Sequence, residues 1–216
     1  MAENGRKKWG LAIDLDRCVG CWTCAVACKE ENNVPMGLWW NRIMTQGEDG
    51  LDQPEGEFPY LEMGYMPLTC QHCEEPPCEK VCPTRATYKR EEDGIVLIDY
   101  DKCIGCRYCM AACPYGVRVF NWEKPHRIPD FDYGLVAARP RGVVEKCTLC
   151  VHRVDEGLEP ACVVACPAHA RIFGDLNDPE SAISVAVRER GGEQLLEDKG
   201  TKPQTFYLSR RRKRPL

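Results

Sequence analysis

The feature that most constrains this chain is the run Cys103-Ile104-Gly105-Cys106-Arg107-Tyr108-Cys109-Met110-Ala111-Ala112-Cys113-Pro114. Three cysteines recur at every third residue, and a fourth follows four positions later, directly before a proline. Three thiolates at this spacing can wrap a turning loop around one iron–sulfur cube. The fourth then points away and ligates a second cluster when there is one. Such a run requires another to complete it. The sequence has three more, and the four runs together account for all sixteen cysteines.

The first run is Cys18, Cys21, Cys24 and Cys28, with the same spacing but with Lys29 in place of the proline. The second is Cys70, Cys73, Cys78 and Cys82-Pro83, its second gap widened to four residues. The fourth is Cys147, Cys150, Cys162 and Cys166-Pro167, with that gap widened to eleven. Asp14-Leu15-Asp16-Arg17-Cys18-Val19-Gly20-Cys21 matches Asp99-Tyr100-Asp101-Lys102-Cys103-Ile104-Gly105-Cys106 at an offset of 85 residues. Pro77-Cys78-x3-Cys82-Pro83-x2-Ala86 likewise matches Ala161-Cys162-x3-Cys166-Pro167-x2-Ala170. A regular run followed by a widened run thus occurs twice, and a duplicated ferredoxin-like unit is the simplest account.

The expected fold class is α+β: two ferredoxin-like lobes of the bacterial two-cluster type, related by internal duplication, with long loop insertions. Residues 9–17 read as a short strand. Residues 87–100 read as a hairpin turning at Asp93-Gly94, followed by the alternating IVLID. The stretches 29–69 and 115–146 contain no cysteine and read as insertions, the first of them partly irregular. Only 20 residues separate Cys82 from Cys103, so the second and third runs should form one lobe, residues 61–139. The first and fourth runs are left to form the other, residues 1–60 plus 140–178. Residues 179–216 are expected to add a C-terminal helix, from Pro179 to Arg190, and a basic tail, Arg210 to Arg214.

Exchange of the fourth cysteine within each lobe gives four closed sets. Cys18, Cys21 and Cys24 take Cys166, while Cys147, Cys150 and Cys162 take Cys28. Cys70, Cys73 and Cys78 take Cys113, while Cys103, Cys106 and Cys109 take Cys82. None of the sixteen is spare, so four [4Fe–4S] clusters are expected, with the sixteen cysteines as the metal ligands. Zinc sites also use C-x2-C pairs, but as two separated pairs. A disulfide scaffold offers no reason for the closure. Gly20 and Gly105 would let backbone N–H groups approach the cluster sulfurs. Lys29 reads as a solvated lysine. His72, His126, His152 and His169 are not needed as ligands; His72 and His152, inside or beside cysteine runs, read as hydrogen-bond donors to a cluster or as satisfied surface histidines.

The net charge of −4 gives no sign of a nucleic-acid partner. Met1 to Gly10 contains no apolar signal region, and no uncharged apolar run approaches the roughly 18 residues needed to span a bilayer. No nucleophile–base pair, phosphate-binding glycine loop or dinucleotide fingerprint is present outside the cysteine runs. A cluster held by four cysteines has no open metal position for substrate. No catalytic residue is therefore expected on this chain, and electron transfer is the expected role.

CQHCEEPPCEKVCP, DKCIGCRYCMAACPYG and EKCTLCVHR…PACVVACP, in that order, resemble the four-cluster iron–sulfur subunits of the DMSO reductase family of molybdenum or tungsten oxidoreductases. The resemblance spans residues 9–178, and the ending ARIFGDLNDPES is closest to the polysulfide and arsenate reductase type. It implies a molybdopterin guanine dinucleotide (bis-MGD) catalytic partner, a membrane anchor subunit that exchanges electrons with quinone, and a peripheral place on the periplasmic side by co-export with a twin-arginine-signal partner. It also implies a cluster order. The Cys18 set would face the catalytic subunit, the Cys147 and Cys70 sets would follow, and the Cys103 set would face the membrane subunit. Two other functions fit the cysteines: a free-standing soluble polyferredoxin shuttle, and a binding protein whose clusters are structural.

Overall fold

The computed structural model describes residues 6–46, 52–123 and 139–209; His126 and the basic tail Arg210–Arg214 lie outside them. In chain order the elements are β1 (Trp9–Asp14), α1 (Thr23–Glu31), β2 (Arg42–Gln46), β3 (Gly64–Leu68), α2 (Pro77–Lys80), β4 (Thr87–Lys89) and β5 (Val96–Ile98). Then come α3 (Tyr108–Ala111), β6 (Val119–Phe120), β7 (Val144–Glu145), α4 (Val151–Val154), α5 (Ala161–Val164), β8 (Arg171–Asp175), α6 (Ala182–Arg190) and β9 (Thr205–Leu208). The result is a mixed α/β fold of small sheets joined by cysteine-bearing loops.

Of the five helices in the runs, proline follows the ends of α2, α3 and α5. Four of them have four residues each, too short to persist without tertiary support. α3 stops just before Cys113-Pro114, since the proline ring has no N–H and blocks the preceding turn. The first run has Lys29 at that place, and α1 continues for nine residues. Lys29 is not a free surface lysine. Its ammonium donates to Pro35 O at 2.6 Å and Leu38 O at 2.9 Å and lies 4.9 Å from the centre of the Trp39 ring. It closes the loop that follows α1.

β1 is the middle strand of a three-stranded sheet of order β8–β1–β9, and every residue after Trp9 is buried. β8 runs antiparallel to it, with Ile13 opposite Arg171, Ala12 opposite Ile172 and Leu11 opposite Phe173. β4 and β5 form the expected hairpin, with Ile98 opposite Thr87, Leu97 opposite Tyr88 and Val96 opposite Lys89. Shifting Ile13 by 85 residues gives Ile98, and shifting Arg171 back by 84 gives Thr87. The two strand pairs therefore have the same register under the offsets of the repeat. Their edges match as well: Asp14 N donates to Ala170 O at 2.7 Å, and Asp99 N to Ala86 O at 2.8 Å. Each aspartate then accepts from the backbone two residues on, at 3.1 Å in both, which turns the chain into the cysteine loop.

Two parts of the fold add to the expectation. The insertion 29–69 holds an antiparallel hairpin of β2 and β3, with Ile43 opposite Pro67. Gly64 and Pro67 are poor strand residues and mask it in the sequence, but a two-stranded ribbon tolerates a missing donor at its edge. The C-terminal residues do not form a separate appendage. The expected helix is α6, capped by the Ser181 hydroxyl and ended by Gly191 at φ 63°. It seats the fully buried Ile183 against Ala12 and Leu208. β9 then pairs with β1 in parallel, Ala12 opposite Phe206. Between these elements the chain also touches the loop before α2, where Glu74 N and Glu75 N donate to Lys202 O and Thr201 O at 2.9 and 3.1 Å. Among the described residues no helix is long and apolar enough to cross a membrane.

Candidate metal centres

The cysteine loops are turned by residues in the left-handed region. Gly20 and Trp22 have φ of 67° and 60°, and their counterparts in the third run, Gly105 and Arg107, have 69° and 64°. Backbone of this kind turns successive N–H groups inward and forms a concavity suited to an anion such as a thiolate or sulfide. At Gly105 the requirement is doubled, because an added Cβ would strike Gly142 O and come within 3.1 Å of Phe120. Gly116, at φ 59°, has nothing within 4 Å of an added Cβ. Gly116→Ala should therefore cost only the left-handed penalty of about 1–2 kcal/mol. Gly105→Ala should cost more than that and should also release iron. Melting temperature and iron content of the two variants test this, and equal effects would contradict the close approach.

The fold gathers the cysteines into four groups. Cys18, Cys21, Cys24 and Cys166 ring a hollow of about 350 Å³. Cys70, Cys73, Cys78 and Cys113 ring one of about 330 Å³. Cys82, Cys103, Cys106 and Cys109 ring a third of about 310 Å³. Near-equal hollows with the same four donors suit near-equal occupants. The fourth group centres on Cys28, whose thiol is pushed up by burial first and then by Cys147, Cys162 and Cys150. Asn32 spans it, its Nδ2 lying 3.9 Å from Cys28 Sγ and 3.6 Å from Cys150 Sγ.

These donor sets fit iron–sulfur cubes. Among the described residues, no three His, Cys, Asp or Glu side chains converge on a point as the ligands of one ion do. The thiols stand around hollows instead. Burial pushes Cys73 and Cys162 up to about 12 and Cys150 up to about 11. Such thiols ionise at neutral pH only beside strong positive charge, which a bound metal supplies. Backbone N–H groups already point at several of the sulfurs. Thr87 N donates to Cys82 Sγ at 3.4 Å, Leu149 N to Cys147 Sγ and Ala170 N to Cys166 Sγ at 3.3 Å each.

The groups follow one another through shared apolar cores. Cys24 and Cys162 lie in one core with Leu11, Ile13 and Tyr207. Cys28 and Cys147 share a second with Cys70 and Cys73, packed by Trp40 and Tyr115. Cys78 and Cys109 share a third with Val96 and Val144. The series runs from the Cys18 group through the Cys28 and Cys70 groups to the Cys103 group. Its two end groups contain the exposed thiols, Cys21 and Cys106, whereas the Cys28 group is buried throughout.

The histidines divide differently from the expectation. His72 is not on the surface. It is 3% exposed, and its Nδ1 accepts from Val96 N at 3.2 Å. Burial, then Lys146 and Arg118, holds it well below the usual histidine range, so it is neutral. His152 lies 2.7 Å from Glu31, which also pairs with Arg153. Sequence reasoning missed the buried cations Arg118, Lys146 and Arg171. Their one signal is that Arg118 and Arg171 each stand five residues after the fourth cysteine of a run.

Comparison with known proteins agrees with this geometry. The 4Fe–4S dicluster domain family matches residues 61–127 and 133–176. An iron–sulfur subunit from Halobacterium salinarum, named for a dimethyl sulfoxide reductase, is 59% identical over 207 residues, covering 93% of this chain and 79% of its own. A sulfite dehydrogenase subunit of Allochromatium vinosum is 44% identical over 225 residues, 94% of this chain and 84% of its own. The iron–sulfur cluster-binding subunit of menaquinone reductase from Nitratidesulfovibrio vulgaris is 44% identical over 231 residues, 94% and 89%. Sixteen cysteines in such a domain fit four [4Fe–4S] clusters. The chain belongs to the 4Fe–4S dicluster family, among the iron–sulfur subunits of respiratory oxidoreductases.

Proposed function

We propose that this chain is a one-electron relay, the iron–sulfur subunit of an oxidoreductase complex, with its clusters held by the four thiol groups described above. The observation that carries the reading is the series itself, with one exposed thiol in each end group and none in the two groups between them. When bound, each cluster takes up and gives up a single electron. The protein keeps the groups close through apolar cores, buries seven of the eight thiols of the inner two, and offers the outer two to partners.

The ends have the surface that docking needs. Val19 and Ile104 occupy equivalent places in their loops and are 63% and 66% exposed. Around Cys106 this apolar surface extends to Tyr108 and to Trp122, whose ring packs against Phe120 at 4.5 Å. Apolar residues around an otherwise buried redox group mark a protein contact. The relatives named above are subunits of a dimethyl sulfoxide reductase, a sulfite dehydrogenase and a menaquinone reductase. On that basis the partners are a molybdopterin catalytic subunit at one end and a quinone-reactive membrane subunit at the other. The chain is then peripheral and held on the periplasmic side through them. The matching strand registers support two duplicated lobes, 1–60 with 140–178 and 61–139, to the first of which the C-terminal segment is attached.

Anaerobically purified protein should contain about sixteen irons and about sixteen inorganic sulfides per chain. Its spectrum should bleach under dithionite, and the native protein should run in gel filtration as part of a larger complex. Stoichiometric zinc, or about eight irons, would mean that the widened runs hold something else. Clusters that stay silent under dithionite would make them structural, and a lone 24.5 kDa species would make the chain a free shuttle.

A further inference from the structure

Arg118 and Arg171 are each only 4% exposed. A buried guanidinium is strongly disfavoured unless opposite charge compensates it. Here the neighbours that supply it, as thiolates when metal is bound, are Cys78, Cys109 and Cys70 for Arg118, and Cys162 and Cys24 for Arg171. Each arginine reaches two cysteine groups at once. Arg171 lines the hollow of Cys18, Cys21, Cys24 and Cys166, and its Nη1 donates to Cys162 Sγ of the next group at 3.6 Å. Asn41 Oδ1 holds its Nη2 at 2.9 Å. Arg118 lines the hollow of Cys70, Cys73, Cys78 and Cys113, and it also acts on Cys109 of the neighbouring group. Its Nη1 donates to Thr87 Oγ1 at 3.2 Å, and its Nη2 is buried with no hydrogen-bond partner among the described residues.

The two arginines are not counterparts under the repeat. The position equivalent to Arg171 is Thr87, the residue that orients Arg118. The position equivalent to Arg118 is Asn33. Each lobe thus has one buried guanidinium between its two thiol groups, and each supplies it from a different strand or loop. A feature inherited with the duplicated unit would sit at the same position twice. One that arose at two different positions points to a need for the charge itself.

We propose that Arg118 and Arg171 are shared counter-charges, one per lobe, each raising the reduction potentials of the two clusters it lies between so that they stay matched. The inference rests on the relay reading. A positive charge in a poorly polarisable interior stabilises the more negative, reduced form of any cluster near it, and the effect declines with distance. A charge in contact with the ligands of two clusters moves both potentials in the same direction and leaves the difference between them little changed. The other lobe lies farther away and responds less.

The test is a set of EPR-monitored redox titrations on the full-length chain in its native complex, with iron content as a check. Arg171→Gln should make both clusters of the Cys18 and Cys28 groups harder to reduce. The expected change is at least tenfold in the reduced-to-oxidised ratio at a fixed ambient potential, about 59 mV for a one-electron couple. The other two clusters should keep their potentials. Arg118→Gln should give the converse pattern. Arg171→Lys and Arg118→Lys keep the charge and should restore both potentials of the affected pair to within about threefold in that ratio. Movement of one cluster alone, of all four equally, or of none overturns the proposal while leaving the relay intact. So does loss of iron from both the Gln and the Lys variants, which would make the arginines packing elements. Clusters that no reductant addresses in the unaltered protein would instead defeat the relay reading.

Discussion

Cys28→Ser is expected to remove the cluster of Cys147, Cys150 and Cys162 and to spare that of Cys18, Cys21 and Cys24, the nearer residues in sequence. Cys24 and Cys28 stand one turn apart on α1, about 6 Å along its axis. That separation lets one helix supply thiols to two centres. The Cys28 thiol responds to Cys147, Cys162 and Cys150, and the hollow ringed by Cys18, Cys21, Cys24 and Cys166 is complete without it. Serine at this site puts a hydroxyl, a far poorer ligand for iron, into a position only 4% exposed. Iron should fall by up to about four per chain. Turnover that requires the whole series should drop to background, because the lost centre is an inner one. Double variants make the assignment sharp. Cys28→Ser with Cys150→Ser should lose the same EPR signal as either alone, whereas Cys28→Ser with Cys18→Ser should lose two. If Cys28 and Cys18 prove to share one signal, the exchange of fourth cysteines is wrong.

Much of this arrangement was legible because the local chemistry repeats. Asp14 and Asp99 mark the turns into their cysteine loops, Gly20 and Gly105 the left-handed positions, and Pro83, Pro114 and Pro167 the ends of the short helical turns. The alternation in residues 95–99 gave the hairpin of β4 and β5. What stayed hidden depends on partners far away in sequence. Nothing local to residues 205–208 says that they will pair in parallel with β1, nearly 200 positions earlier. The effect of Lys29 is visible only as an absence, the proline that would have ended α1. Gly64 and Pro67 disguise β3, whose Tyr65 covers Gly20 and so places the hairpin over an end group. His72 and Arg171 look like ordinary surface residues in the sequence, and both are buried beside partners far away in sequence, Val96 and Asn41. Cysteine spacing thus marks the candidate ligands, and the long-range packing sets the field around them.

Cys106→Ser, at the other exposed end, should disconnect quinone from the active site while leaving dye-linked activity. Electrons crossing a series must pass every member, so loss of an end group stops traffic with the partner docked there. A small viologen can still donate at the remaining groups, where Cys21 is exposed and Cys18 and Cys113 are half-buried. In an assembled complex the variant should lose quinone-linked turnover to background and keep viologen-linked turnover within roughly twofold of the unaltered complex. Cys21→Ser should differ in kind. If the Cys18 group faces the catalytic subunit, its loss breaks the last step to the active site, and both activities should disappear together. The surroundings of the ends fit this assignment. Cys106 lies between the exposed Ile104 and Tyr108, and the neighbouring Arg107 stacks on the exposed Trp122 at 4.8 Å, while Cys21 follows Gly20, which Tyr65 of the β2–β3 hairpin covers. The pair of variants fixes polarity as well as order. Reversed results, with Cys21→Ser losing only the quinone-linked reaction and Cys106→Ser losing both, would keep the series and turn it end for end. Survival of quinone-linked turnover in Cys106→Ser would remove that group from the path altogether.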